Sequence, residues 1–532
     1  VTAILQALAA PLPAGEPVSS PVMSPVMSPV MGPVMGPAEA EADKRLLDAE
    51  RLLLQGEAAA SLAQAELAAG GASPALAGRA GLAEGLALAA LGRFDEAVER
   101  ARPLTQSPDP GLKRGARWLL ARAAARSGRT EEATAHYAAV AANQASVPGI
   151  GAHRNLDLGD EAAYLAAWLW YDAGAYPRAV ERLDAFARAR PGSPRADEAR
   201  WFAAWSMLRQ GDRRGAQTRL ARLEAGPRAD AALYWSGRLS GSRERLRRAS
   251  LAGGDGWYGW LARRRLEQLH ATPPPVPPLD LPAGDLEPSE KSLARLRPAV
   301  TLLAIGRREA AVQELEVRAR TGADRATAVE ICRLATFAGE PALAFRVARD
   351  QLGQTRLSER WLYPTAFEGS VASAALAAGV DEALLLALVR RESGFRPEAR
   401  SLAGALGLGQ LLPRTAARLG VLAGLDADPA GRLSEPATNL ALAALYLGLL
   451  RDRFGSDAVA LAAYNAGPAA PAGWGTGATP LDEWVENVPY RETRHYVKLV
   501  LAAREVYRRR QGLPPLLDPA ALVSVTGAGV AF

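Results

Sequence analysis

The chain is short of the residues that most often mark a metal, redox or nucleophilic centre. Cys332 is the only cysteine among 532 residues, which excludes an intrachain disulfide framework and a cysteine-ligated zinc site. The histidines, His136, His153, His270 and His495, are too scattered to suggest a metal cluster, and neither a metal nor a cofactor is expected. No apolar run reaches the roughly 18 residues that a spanning helix needs. Aromatic residues make up 6% and β-branched residues are sparse, which argues against a large sheet. A Lys/Arg block with interleaved aromatics is also missing, so nucleic-acid binding is unsupported. The modest net charge of +6 still suits an anionic partner.

What remains favours helix. Hydrophobic residues make up 49% and charged residues 23%, a globular balance, and alanine, leucine, arginine and glutamate dominate. Such a length accommodates several domains with a large buried core. Residues 1–37 form a low-complexity Pro/Met-rich tail. It opens with VTAILQALAA, similar to the end of a secretory signal with an Ala-rich cleavage site. It continues as SPVMSPVMSPVMGPVMGP, where a proline at every fourth position forbids regular helix.

Residues 38–270 alternate amphipathic stretches with Gly- or Pro-marked breaks. A glycine followed five residues later by an alanine recurs at Gly92/Ala97, Gly128/Ala133, Gly174/Ala179 and Gly211/Ala216, and again at Gly306/Ala311 and Gly339/Ala344. The glycine ends one helix and the alanine lets the next pack closely, the pattern of degenerate tetratricopeptide-like helical pairs stacked into an α-superhelix. In GWYGWLARRRL, from Gly256 to Leu266, the aromatics Trp257, Tyr258 and Trp260 read as packing at a helix junction. Residues 271–360 hold a Pro-rich connector and a helical linker, residues 361–515 a further α domain, and residues 516–532 a loose tail.

The chemistry concentrates between Ala387 and Ala416, in ALVRRESGFRPEARSLAGALGLGQLLPRTA. Leu385, Leu388, Val389 and Glu392 fall at i, i+3, i+4 and i+7, so the acid shares a helical stripe with core residues. Asp381 reads as the N-cap and Gly394 as the stop, which puts Glu392 in the last turn, at the negative end of the helix dipole. Burial and dipole both favour the neutral acid. A carboxyl kept protonated near neutral pH suits a general acid. Arg390, Arg391 and Arg396 stand near enough to offer the bland alternative, an ion-paired boundary residue.

Glu392-Ser393 is followed by Ser401, then Gly404, Gly407 and Gln410, then AYNAGP from Ala463 to Pro468, then ENVPYRETRHYVKLVL from Glu486 to Leu501. In that order and spacing these segments closely resemble the catalytic domain of the soluble lytic murein transglycosylases, over roughly Trp361 to Arg510. The resemblance implies a mainly α fold, with the N-terminal α-superhelix and helical linker leading to a C-terminal lysozyme-like α domain. It also implies a periplasmic enzyme that acts on peptidoglycan, with Glu392 and Tyr464 catalytic and with Ser401, Gln410, Asn465 and Glu492 binding substrate. Cell-wall synthesis or division proteins are the partners expected for the superhelix.

Glycosidic cleavage ordinarily uses two carboxylates. Asp426, Asp428 and Glu435 lie in a Gly/Pro-rich loop and Asp452 on a polar helix face, so none forms an obvious partner motif. The family's solution is substrate assistance: the N-acetyl group of muramic acid helps expel the leaving group. Glu392, now a base, then activates the sugar's 6-hydroxyl to give a 1,6-anhydro end. Gly409 stands where the family carries methionine, and Leu412 follows at the next hydrophobic position. That departure predicts a wider subsite or altered packing. Tyr496 reads as a packing residue. A lysozyme-type hydrolase and an inactive glycan-binding scaffold remain the alternatives.

Overall fold

The structure, a computed structural model, describes residues 36–54, 57–71, 73–148, 157–275, 290–322, 324–355, 357–401, 403–424, 429–474 and 477–525. The methionine repeat up to Met35, the connector from residue 276 to 289, Asp426 and Asp428 lie outside the described residues. Compactness divides the rest between Ala252 and Gly253, ahead of the boundary at 270 drawn from sequence.

In the first unit, helices run from Pro37–Leu54 to Arg243–Gly253 and pack chiefly against their sequence neighbours. The Gly/Ala signature has the geometry expected of it. Gly92, Gly128, Gly174 and Gly211 adopt φ of 79°, 69°, 73° and 90°, the left-handed region where a side chain is penalised. The partner alanines Ala97, Ala133, Ala179 and Ala216 are buried to 1% exposure or less. A larger side chain there would hold the two helices of a hairpin apart.

The second unit begins with helix α1 (Trp257–Gln268). Its Trp257, Tyr258 and Trp260 are buried, in line with the packing role expected of them. Tyr258 donates a 2.5 Å hydrogen bond to Glu486 Oε1, and Lys498 Nζ donates to both the Tyr258 hydroxyl and the Glu486 carboxylate at 2.7–2.8 Å. Residues 290–347 repeat the helical-pair pattern, with Gly306 and Gly339 at φ 77° and 76°. The lysozyme-like part follows as α2 (Glu368–Ala377), α3 (Glu382–Glu392), α4 (Pro413–Leu422), α5 (Pro436–Phe454), α6 (Asp457–Ala466) and α7 (Arg491–Arg510).

Helix α3 is the centre of this part. Ala383 to Val389 are each no more than 1% exposed, because α7 and α2 cover them. No single described helix is long and apolar enough to cross a membrane; α2 and α3 pass that test only as a pair, bent by 118°. The sole described sheet is a two-residue antiparallel pair, Thr479–Pro480 with Leu522–Val523. That pairing also alters the expectation of a loose tail, because the chain is fastened as far as Val525. Leu517 is fully buried, Val525 is 4% exposed, and Arg264 of α1 donates to the Leu517 carbonyl at 2.9 Å.

Candidate functional site

Helix α3 delivers the carboxyl. The Asp381 carboxylate caps its start, accepting the Leu384 N–H at 3.2 Å, and Gly394 at φ 58° ends it two residues after Glu392. Glu392 therefore stands one turn beyond the apolar stretch Ala383–Val389, half-buried, and desolvation pushes its carboxyl up to about 7. A hydrogen bond from Tyr496 and the charge of Arg391 oppose that shift, while Glu492 adds to it. The arginines that could have neutralised the acid by pairing are partly engaged elsewhere. Arg390 donates to the Leu362 carbonyl at 2.6 Å and Arg396 to the Ser393 carbonyl at 3.2 Å.

Glu392 lines a cavity of about 1200 Å³ that also receives Ser401, Gln410, Tyr464, Asn465 and Glu492. All six residues singled out in the sequence thus meet around one space, although they span a hundred positions. Each is held by local bonds that fix which hydrogen-bonding capacity it has left. The Ser401 hydroxyl oxygen accepts the Ala405 N–H at 2.9 Å, which leaves its proton to donate. Gln410, in a left-handed conformation at φ 51°, spends its amide N–H groups on the carbonyls of Ala399 and Gly407 at 3.0 and 2.9 Å. Only its oxygen remains for a ligand. The Asn465 oxygen accepts from the Thr493 hydroxyl at 2.6 Å, which leaves the amide hydrogens. Glu492 is exposed, and Arg494 beside it turns inward to donate to the Val488 carbonyl at 2.6 Å.

Tyr464 donates its hydroxyl proton to the Gly409 carbonyl at 2.7 Å, and its ring packs on Tyr446 with centroids 5.1 Å apart. Burial and the nearby Glu392 charge hold the phenol well above its ordinary range, so it stays protonated. Gly409 is buried instead of lining the cavity. A Cβ at that position would meet Ala443 Cβ at 2.6 Å and the Tyr464 hydroxyl oxygen at 3.0 Å. Replacing the family's methionine by glycine therefore makes room for tyrosine and helix α5 rather than for substrate. Asn439, fully buried on α5, ties the turn down by accepting the Gly409 N–H at 2.7 Å and donating to the carbonyls of Leu406 and Leu433.

Tyr496 has a larger part than packing. Its hydroxyl donates a 2.6 Å hydrogen bond to Glu392 Oε1 while its ring is 2% exposed. A signal existed in the sequence: Thr493, Tyr496, Val497 and Val500 share one stripe of a helix, and a buried tyrosine hydroxyl needs a partner. Of the acids considered as partners for Glu392, the two described ones, Glu435 and Asp452, do not line the cavity. Glu435 is exposed and paired with Arg432 at 2.7 Å, and Asp452 is exposed. Among the described residues, Glu492 is the other carboxylate lining the cavity. Among the described residues no group of three or more His, Cys, Asp or Glu side chains is placed to hold a metal ion.

Residues 370–486 match a family model, the Transglycosylase SLT domain. The soluble lytic murein transglycosylase of Salmonella typhimurium is 38% identical over 138 residues, covering 25% of this chain and 21% of that protein. Its counterpart from Escherichia coli is 36% identical over 143 residues, covering 26% and 22%. The aligned segment thus spans about a fifth of the length of these curated relatives. An inactive mutant of lytic transglycosylase Slt from Pseudomonas aeruginosa is similar over 90% of this chain and 83% of its own, at 22% identity and a TM-score of 0.59, a likeness of fold. Residues 370–486 are accordingly similar to a transglycosylase SLT domain, set in a mainly α chain that resembles the soluble lytic murein transglycosylases.

Proposed function

We propose that the protein is a lytic transglycosylase that cleaves the β-1,4 bond between N-acetylmuramic acid and N-acetylglucosamine in peptidoglycan, with residues 361–515 as its catalytic domain. The observation that carries this reading is a single carboxyl, Glu392, held near neutrality by burial at the end of an apolar helix and opening on a groove large enough for sugars.

In the first step the proton of Glu392 passes to the departing glycosidic oxygen as its bond to C1 of muramic acid breaks. The acetamido carbonyl oxygen of the same sugar closes on C1, which spares the protein a nucleophile. Tyr464, whose proton is committed to Gly409, offers a lone pair to the acetamido N–H. That bond strengthens as positive charge develops on the acetamido group, so it favours the transition state over the bound substrate. In the second step the Glu392 carboxylate removes the proton of the 6-hydroxyl, O6 attacks C1, and the ring acetamide is released. The product is a 1,6-anhydro end, and Glu392 is again protonated. Ser401, Gln410, Asn465 and Glu492 hold the glycan, and positioning supplies much of the rate.

One feature favours a second reading: Glu492 shares the cavity and could orient a water as general base. Its charge acts on Glu392 more weakly than burial, the Tyr496 hydrogen bond or Arg391, and a hydrolase would leave reducing ends. Analysis of digested murein separates the two. Such a substrate places the protein in the periplasm, where the N-terminal helical pairs offer a surface to cell-wall synthesis or division proteins. Recovery of the chain in a cytoplasmic fraction would contradict that location.

A further inference from the structure

Helix α7 is gripped from two sides. At Tyr496 it meets α3 through the hydrogen bond to Glu392, and two residues on, at Lys498, it meets α1. Successive helical residues turn by about 100°, so these two side chains leave α7 on roughly opposite faces. The grip on the α1 side is a polar triad. Lys498 Nζ donates to the Tyr258 hydroxyl at 2.8 Å and to both Glu486 oxygens, and Tyr258 donates to Glu486 Oε1 at 2.5 Å. Glu486, 2% exposed, stands in the last turn of the short helix Leu481–Asn487, just ahead of α7. Arg265 of α1 donates to Asp482, near the start of that helix, at 3.1 Å. Taking a Glu–Lys pair out of water returns little net stability, so folding free energy is a weak account of the triad. Its bonds have direction, which the apolar packing of Val497 and Val500 on the same helix lacks.

We propose that Tyr258 is a positioning residue for the proton-transfer site: through Lys498 and Glu486 it sets the rotation of α7 and so keeps the Tyr496 hydroxyl on Glu392. Helix α1 is then part of the catalytic unit, although it lies outside residues 361–515. This rests on the transglycosylase reading only in taking Glu392 as the group that carries the proton. The leverage is geometric. Side chains end roughly 5–6 Å from a helix axis, so a turn of about 15° in α7 displaces the Tyr496 hydroxyl by about 1.5 Å. A 2.6 Å hydrogen bond does not survive such a displacement. The other titratable groups around Glu392 are Arg391 on α3 itself, Tyr464, which is tied to Gly409, and Glu492 in the first turn of α7. Of these only Glu492 shares the helix that the triad orients, and its influence on the acid is weaker than that of Tyr496.

The test is a double-mutant cycle in the full-length chain. Tyr258→Phe removes one hydroxyl and keeps the buried ring, while Tyr496→Phe removes the bond that the triad serves. Two readouts report on Glu392: the alkaline limb of the kcat/KM profile on purified murein, and titration of its carboxyl by NMR of protein labelled with ¹³C-carboxyl glutamate, assigned by the signal lost in Glu392→Gln. Tyr258→Phe should move both upward by about half a pH unit, about a threefold change in proton affinity, and the rate should fall several-fold. In the Tyr496→Phe protein it should move neither any further. Arg264→Ala, which frees α1 from the Leu517 carbonyl and leaves the triad intact, should lower Tm without moving the titration. An unmoved titration in Tyr258→Phe, a shift that persists undiminished in the Tyr496→Phe background, or an equal shift in Arg264→Ala overturns the proposal. Murein left uncut by the unaltered enzyme overturns the transglycosylase reading instead, and the NMR titration still decides the role of Tyr258.

Discussion

The Tyr496 hydroxyl and Glu392 Oε1 are joined by a 2.6 Å hydrogen bond, although the two residues are 104 positions apart in the chain. The bond stabilises the ionised carboxylate, while burial stabilises the acid, and the balance leaves the group near neutrality. An acid that must give up a proton and then recover one benefits from such a balance.

Replacing Tyr496 by phenylalanine removes the opposing influence. The carboxyl should then titrate higher, and the alkaline limb of kcat/KM should move to higher pH. The maximal rate should fall about tenfold, because the carboxylate formed in the first step loses a charge-assisted bond. A pH–rate profile of wild type and variant checks both. An unmoved limb would reduce Tyr496 to a packing residue.

Glu392→Gln should abolish turnover, by about three orders of magnitude or more, as expected for loss of a general acid, while glycan binding persists. Single-turnover digestion of sacculi beside a co-sedimentation assay measures the two separately. An unchanged rate would remove Glu392 from the mechanism.

The same replacement carries a pH-dependent stability effect. The carboxyl titrates near 4.5 when unfolded and near about 7 in the fold. Between those values the folded protein holds the extra proton, so stability falls as pH rises through about 7. The Gln variant escapes that loss and should gain roughly 2–3 kcal/mol over wild type at pH 8, with little difference at pH 4. Thermal melts at the two pH values test the sign.

Gly409→Ala should destabilise the domain by about 1–3 kcal/mol, because the new methyl group meets Ala443 and displaces the Tyr464 hydroxyl. Activity should fall with it, and Ala443→Gly in the same chain should recover part of both. Denaturant titration with the matching activity assay provides the measurement.

Much of this was legible in the chain. The Gly/Ala spacing located helical hairpins whose glycines do occupy the left-handed region, and the stripe from Leu385 to Glu392 located a desolvated acid. Both signals are local, carried by periodicity within one or two turns. What escaped depends on contacts between distant segments. The partnership of Tyr496 with Glu392 bridges 104 positions, and the crowding of Gly409 by Ala443 and Tyr464 comes from two other helices. The seating of Leu517 depends on α1, some 250 residues earlier. Periodicity reports which face of a helix is buried and is silent on what lies across from it.

Mass spectrometry of muropeptides released from purified sacculi by the full-length protein tests the central claim most directly. Single-glutamate, substrate-assisted cleavage predicts products ending in 1,6-anhydromuramic acid, each lighter by one water than the hydrolytic product, and without label when the digest is run in ¹⁸O-water. Reducing muramic ends carrying the heavy oxygen would contradict it and assign Glu492 the activation of water.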